Sequence, residues 1–147
     1  MEIRPARPDD LPAVQALLRA SELPWEDVAP HFGAFLVGER AGTLVACAGF
    51  EHYGDAALVR SVALAPALRA RGLGAALCET LLGDARRRGV RDAFLLTTSA
   101  SGFFVRQGFA PLAREHAPAV IRTTREFAEL CPASAVLMQR ALVRATA

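Results

Sequence analysis

The run Val62-Ala63-Leu64-Ala65-Pro66-Ala67-Leu68-Arg69-Ala70-Arg71-Gly72-Leu73-Gly74-Ala75 decides how this chain is read. An apolar stretch with the character of a strand stops at a proline. It then crosses a loop with two arginines and meets two glycines that open a long helix. Glycine lets a backbone come close to a ligand, and free N–H groups at a helix N-terminus suit an anion. Arg69 and Arg71 add guanidinium charge for phosphate. The run is not a P-loop, because no Gly-Lys-Ser/Thr follows. Nor is it a dinucleotide fingerprint, because the third glycine and the downstream acid are missing.

Upstream of this run, Glu2 to Ala6 reads as a strand, followed by a helix from Pro8 with Asp9 as its N-cap and Leu11, Val14, Leu17 and Leu18 on one face. Ser21 to His31, with Pro24, Trp25 and Pro30, reads as a loop holding at most a short helix. Ala34–Glu39 and Thr43–Glu51 read as an antiparallel pair turned at Arg40-Ala41-Gly42, and Ala57–Ala65 as the strand that enters the loop. Downstream, a helix over Gly72–Arg88 stops at Gly89. A strand over Asp92–Thr98, a short helix over Ser101–Gln107, a helix over Ala117–Leu130 and a strand over Ser134–Leu142 complete the order. That order predicts one α/β domain over residues 1–147, a mixed sheet with helices on both faces.

A second block, Phe94-Leu95-Leu96-Thr97-Thr98-Ser99-Ala100-Ser101-Gly102-Phe103-Phe104-Val105-Arg106-Gln107-Gly108-Phe109, gives the first its meaning. Arg69-Ala70-Arg71-Gly72-Leu73-Gly74 matches the Arg/Gln-x-x-Gly-x-Gly/Ala signature of the GNAT N-acetyltransferases, and this block resembles that family's next strand and helix. Ala100, Phe103, Gly108 and Phe109 match the usual Asn-x-x-Ala-x-x-Phe-Tyr-x-x-x-Gly-Phe, while Thr97 replaces the Asn and Phe104 the Tyr. The resemblance implies a mostly antiparallel sheet splayed at an acetyl-CoA cleft, with acetyl-CoA as cosubstrate and no metal. It places the CoA pyrophosphate on the amides of Gly72, Leu73, Gly74 and Ala75, beside Arg69 and Arg71. The backbone of Val62, Ala63 and Leu64 would take the pantetheine arm, with Thr98, Phe104 and Arg106 completing the cofactor side. The family's tyrosine often protonates the departing thiolate. Phe104 cannot, so either another group does so or the thiolate leaves unassisted.

An ammonium group cannot attack a thioester, so a base is needed, together with a donor for the developing oxyanion. Glu51 and His52 end a strand close to where the family's base tends to sit, and Glu51 is the first candidate. Its alternative is a solvated turn residue. Arg60 stands in an apolar strand, where a charge is costly unless paired. Alternation puts it on one face with Leu58 and Val62. It either forks onto a substrate carboxylate or pairs with an acid of the chain.

The segment Ala117-Pro118-Ala119-Val120-Ile121-Arg122 through Cys131-Pro132-Ala133-Ser134-Ala135 resembles small GNAT proteins linked to arsenic-resistance operons (ArsN-type). Leu96-Thr97-Thr98 with Ser134-Ala135-Val136-Leu137 is similar to the acetyltransferase domain of N-acetylglutamate synthase. Both imply the α-amino group of an amino acid, or of a glutamate mimic bearing an arsenic or phosphorus acid. Arg60, Arg122 and Arg125 are then the candidate anion holders and Cys131 a candidate substrate contact. Arg122 and Glu126, four apart, would alternatively share a helix face and pair.

Composition narrows the partners. The net charge is only +2 and the 17 basic residues are all arginine. Arg86-Arg87-Arg88 and Arg91 suit a solvated helix end better than a nucleic-acid surface. Three cysteines with no metal-ligand spacing argue against disulfides or zinc. No apolar run is long enough to span a membrane, and the first residues do not read as a signal peptide, so a cytoplasmic location is expected. Homodimerisation is an expectation from analogy with the fold. The rival functions are transfer to a protein, polyamine or aminoglycoside amine, and a non-catalytic acyl-CoA-binding module.

Overall fold

A computed structural model describes residues 1–69 and 71–142. Its strands are β1 (Glu2–Pro5), β2 (Phe35–Arg40), β3 (Thr43–Tyr53), β4 (Ala56–Leu64), β5 (Asp92–Thr97), β6 (Ala110–Pro111) and β7 (Val136–Ala141). Its α-helices are α1 (Leu11–Ala20), α2 (Leu73–Arg87), α3 (Ser101–Arg106) and α4 (Ala119–Arg122). The strands form one seven-stranded sheet in the order β1-β2-β3-β4-β5-β7-β6. Every neighbouring pair is antiparallel except β4 and β5.

That parallel pair creates the opening. β4 and β5 are in register only over Ala56–Leu58 against Asp92–Phe94. Beyond Leu58 the strands separate, so the edge of β4 facing β5 has no ladder partner for its N–H and C=O groups. A bulge in the same strand sharpens the divergence. The β3–β4 register runs Cys47↔Ala63 but Gly49↔Arg60, so β4 carries one extra residue there. Ser61 takes that strain with φ +59°. Arg60 Nε donates to its hydroxyl at 3.0 Å, and Cys47 Sγ reaches its carbonyl at 3.2 Å. Because of the bulge, Leu58, Arg60 and Val62 do not share one face, contrary to simple alternation. Val62 and Leu64 pack with Val59 against α2, while Leu58 lies in a different cluster.

One sheet face is covered by α2 and α3, around Phe50, Leu77, Leu81, Leu82, Leu95, Phe104 and Phe109. The other is split. Val14, Leu18, Phe35 and Val37 pack at the α1 end, and Leu58, Phe94, Ile121 and Leu137 at the α4 end. Gly49 admits the Phe35 ring, which lies 2.2 Å from where a Cβ would stand. Between the two apolar clusters of this face sit the buried charged residues.

Two local expectations are corrected. The N-terminal helix is not capped by Asp9. Asp10 accepts the Arg7 N–H at 2.7 Å and pairs with Arg4 at 2.8 Å, which also pairs with Glu39. The expected helix over Ala117–Leu130 breaks after four residues. Thr124 Oγ1 donates to the Ile121 carbonyl at 2.8 Å and accepts the Phe127 N–H at 3.2 Å. The chain then winds as a π-helical turn, Glu126–Leu130, closed by Cys131 N–H to Glu126 O at 2.9 Å.

Candidate active site

The separation of β4 from β5 opens a cleft of about 820 Å³. One wall is Val59–Leu64, the other Leu95–Ala100 with Phe103, Phe104, Arg106 and Gln107. The loop Ser21–Pro24 closes one side and Glu126, Leu130, Cys131, Pro132 and Ala135 another. At the far end lie Arg69, Gly72, Gly74 and Ala75. The structure therefore gathers most of the residues expected from the sequence. Val62, Ala63, Leu64, Arg69, Gly72, Gly74, Ala75, Thr98, Phe104, Arg106, Arg60 and Cys131 all line this cleft. Arg71, Leu73, Glu51 and Arg122 do not.

The Gly72 end suits a diphosphate. Gly72 stands at φ +73° immediately before α2, a left-handed turn that disfavours any residue with a Cβ. Among the described residues no side chain caps this helix, so the N–H groups of its first turn, from Leu73, Gly74 and Ala75, are open to a ligand. A Cβ on Gly74 would stand 3.2 Å from the Phe103 ring, so glycine keeps this approach clear. Arg69 is tied to the Leu64 carbonyl at 3.2 Å, which holds it beside the strand end. Arg71 is exposed on the same loop. Partial positive charge at the helix start and two guanidinium groups are the donor set a pyrophosphate needs. The unladdered edge of β4 offers hydrogen bonds to an amide-bearing arm.

The departures from the family pattern are structurally accommodated. Thr97 Oγ1 accepts the Ala100 N–H at 3.0 Å and so fastens the turn into α3. Phe104 is 7% exposed and meets Phe103 and Phe109 edge to face, with ring centroids 5.0 and 5.8 Å away.

The charged cluster lies at the base of the cleft. Arg60 is 3% exposed. Its guanidinium binds Asp27 through two hydrogen bonds of 2.6 Å and Glu51 through one of 2.7 Å. Glu126 Oε1 stands 3.7 Å from Arg60 Nη2. Glu51 also accepts the Tyr53 hydroxyl, and His31 Nε2 lies 3.6 Å from it. Glu51 is 2% exposed, so it is neither a solvated turn residue nor part of the cleft wall. Arg60 meets acids of its own chain. Arg122 is exposed and does not pair with Glu126, because the break at Thr124 turns the two apart, and Arg125 pairs with Glu129 at 3.2 Å.

Burial sets the proton affinities. Burial pushes Asp27 up, but the Arg60 hydrogen bonds and charge outweigh it and hold the carboxyl below its usual range. Glu126 has no such bonds. Burial, with Glu51 and Asp27 nearby, pushes it up to about 7 despite Arg60. Burial, and then Glu126, pushes the Cys131 thiol up to about 11. Tyr53 is raised by burial and by its bond to Glu51.

Asp27 was not singled out from the sequence, and Glu126 only as a possible partner of Arg122, not as part of the site. The one available signal was Arg60 itself, whose position in an apolar strand demanded buried acids somewhere.

The chain matches the sequence model of the acetyltransferase (GNAT) family over residues 3–109. It is 31% identical over 94 residues to a Chlorobaculum tepidum protein described as an uncharacterized N-acetyltransferase, covering 63% of this chain and 60% of that one. It is 37% identical over 87 residues to an amino-acid acetyltransferase of Pseudomonas putida, covering 58% of this chain and 20% of that enzyme. Its fold superposes on N-acetylglutamate synthase from Neisseria gonorrhoeae, solved with coenzyme A and N-acetyl-glutamate. There the TM-score is 0.83 at 24% identity, over 97% of this chain and 35% of that one. The chain thus spans less than two thirds of each of these proteins. Among the described residues no helix is long and apolar enough to cross a membrane, and no group of His, Cys, Asp and Glu could hold a metal.

Proposed function

Because the chain belongs to the acetyltransferase (GNAT) family, we propose that it moves an acetyl group from acetyl-CoA to the amino group of a small molecule, by direct attack in a ternary complex. The single observation that carries this reading is the cleft between β4 and β5. It runs from the open helix start at Gly72 to the buried acids around Arg60. CoA fits the first part: diphosphate on the amides of Gly72 to Ala75 and on Arg69 and Arg71, pantetheine along the free edge of Val62 to Leu64. Acetyl-CoA supplies the activated acyl group. The residues of this chain orient it, exclude water and leave a backbone N–H near Val62 for the oxyanion.

The acceptor we propose is an amino acid or a glutamate-like analogue, including those with an arsenic or phosphorus acid. Support comes from the amino-acid acetyltransferase of P. putida and from the N-acetyl-glutamate complex of the N. gonorrhoeae enzyme. The ArsN-type likeness adds the analogue class. On this reading the chain works in the cytoplasm on small molecules, without nucleic acid or membrane, and homodimerisation is expected by analogy. The anion-holding role given to Arg60 would require it to exchange one of its internal acids for substrate. A thiol-release assay over amino acids, glutamate mimics, polyamines and aminoglycosides tests the proposal.

A further inference from the structure

The cluster around Arg60 holds more acids than its one guanidinium can pair. Three buried carboxylates, Asp27, Glu51 and Glu126, face a single guanidinium. Asp27 and Glu51 take its short hydrogen bonds, and Tyr53 serves Glu51 as well. Glu126 is left over. It is 5% exposed, its nearest cation stands at 3.7 Å, and its carboxylate accepts no hydrogen bond among the described residues. Unlike Glu51, it lines the cleft.

A buried carboxylate without a donor is costly. Here the π-helical turn holds it in place: Cys131 N–H closes on the Glu126 carbonyl, and Thr124 fixes the turn's start. The complement that such a group lacks is a hydrogen-bonding cation of small size. An ammonium fits, and Glu126 lines the same cleft that takes the cofactor arm on the acetyl-transfer reading.

We propose that Glu126 receives the ammonium group of the acceptor and takes its proton. This rests on the acetyl-transfer reading and deepens it: Glu126 is the base, and Asp27, Glu51 and Arg60 position it. One N–H proton passes to the Glu126 carboxylate. The free amine attacks the thioester carbonyl, forming the C–N bond, and the C–S bond breaks as the tetrahedral centre collapses. The second N–H proton goes to the departing thiolate, giving free CoA thiol and an amide, and Glu126 returns its proton to solvent through the cleft. The charged and titratable groups facing Glu126 are Arg60 on β4, Glu51 on β3, Asp27 in the preceding loop and Cys131 on the turn itself. Burial, supported by the two acids, sets its carboxyl at about 7, where it exchanges a proton readily near neutral pH.

The test compares wild type, Glu126→Gln and Glu126→Asp on the best amine of the panel, from pH 5.5 to 9, with acetyl-CoA affinity measured for each. Glu126→Gln should keep acetyl-CoA affinity within about threefold, lose roughly 100-fold or more in kcat and lose the rise in rate centred near pH 7. Glu126→Asp should keep that rise at reduced kcat, and it decides the matter if the glutamine variant does not fold. A glutamine variant with kcat within about threefold of wild type and an unchanged pH profile overturns the assignment alone. No turnover of any amine by a wild type that binds acetyl-CoA overturns the transfer reading and the assignment with it.

Discussion

Arg60 and Asp27, 33 residues apart, meet in a two-pronged ion pair, with Nη1 and Nη2 each 2.6 Å from one carboxylate oxygen. The pair ties the loop before β2 to the strand that forms one wall of the cleft. Fold and site are coupled at this point, because the same guanidinium also holds Glu51 on β3.

Arg60→Met should therefore destabilise the protein by about 3–5 kcal/mol, since it leaves buried carboxylates without their cation. Arg60→Lys should recover little, because an ammonium cannot form the fork. Urea unfolding at pH 7 measures both. A loss below about 1 kcal/mol for the methionine variant would show that the cluster is not held by Arg60.

Stability should fall with pH across the acid-to-neutral range on account of Glu126. Its carboxyl is raised from 4.5 to about 7 in the folded chain. The folded state therefore binds the proton more tightly than the unfolded state. The stabilising contribution is complete below about pH 4.5 and is lost as pH rises through about 7, a change on the order of 3 kcal/mol. Glu126→Gln should remove this component, so its stability relative to wild type should improve from pH 5 to pH 8. Unfolding curves at the two pH values read the difference.

The two loop glycines should separate by phenotype. Gly72→Ala meets no neighbour within 4 Å but must hold φ +73°, so it should cost about 1–2 kcal/mol of stability. Gly74→Val pushes against Phe103, 3.2 Å from its Cβ position, at the mouth of the amide turn. Acetyl-CoA affinity should drop about tenfold or more, roughly 1.4 kcal/mol, by calorimetry.

No acetyl-enzyme should form at Cys131. Burial raises its thiol to about 11, so the nucleophilic thiolate is scarce at neutral pH. Mass spectrometry of protein incubated with acetyl-CoA and no acceptor should show no acetyl group on the Cys131 peptide. A stoichiometric acetyl-cysteine would replace direct attack with a two-step transfer.

Most strands were legible to within a residue or two, because β2 to β5 are apolar runs punctuated by Gly, Pro and charged turns. The turn into α2 was legible for a related reason: Gly72, at φ +73°, and Gly74, close against Phe103, carry local geometric demands that read directly from sequence. Two-residue β6 has no pattern to detect. The Ser61 bulge left no glycine as a marker, so alternation put Val62 on the wrong face. The helix break at Thr124 arises from a side chain that competes with the backbone. That single event exposes Arg122 and buries Glu126, reversing the pairing their spacing suggests. Asp27 and Glu126 join Arg60 only through long-range folding, which periodicity does not encode.

The most direct test of the account is thiol release from acetyl-CoA with purified protein across the amine panel, alongside acetyl-CoA binding. Turnover should require a small-molecule amine and be greatest for an amino acid or glutamate-like analogue. Tight acetyl-CoA binding with no turnover on any amine would contradict it and leave an acyl-CoA-binding module in its place.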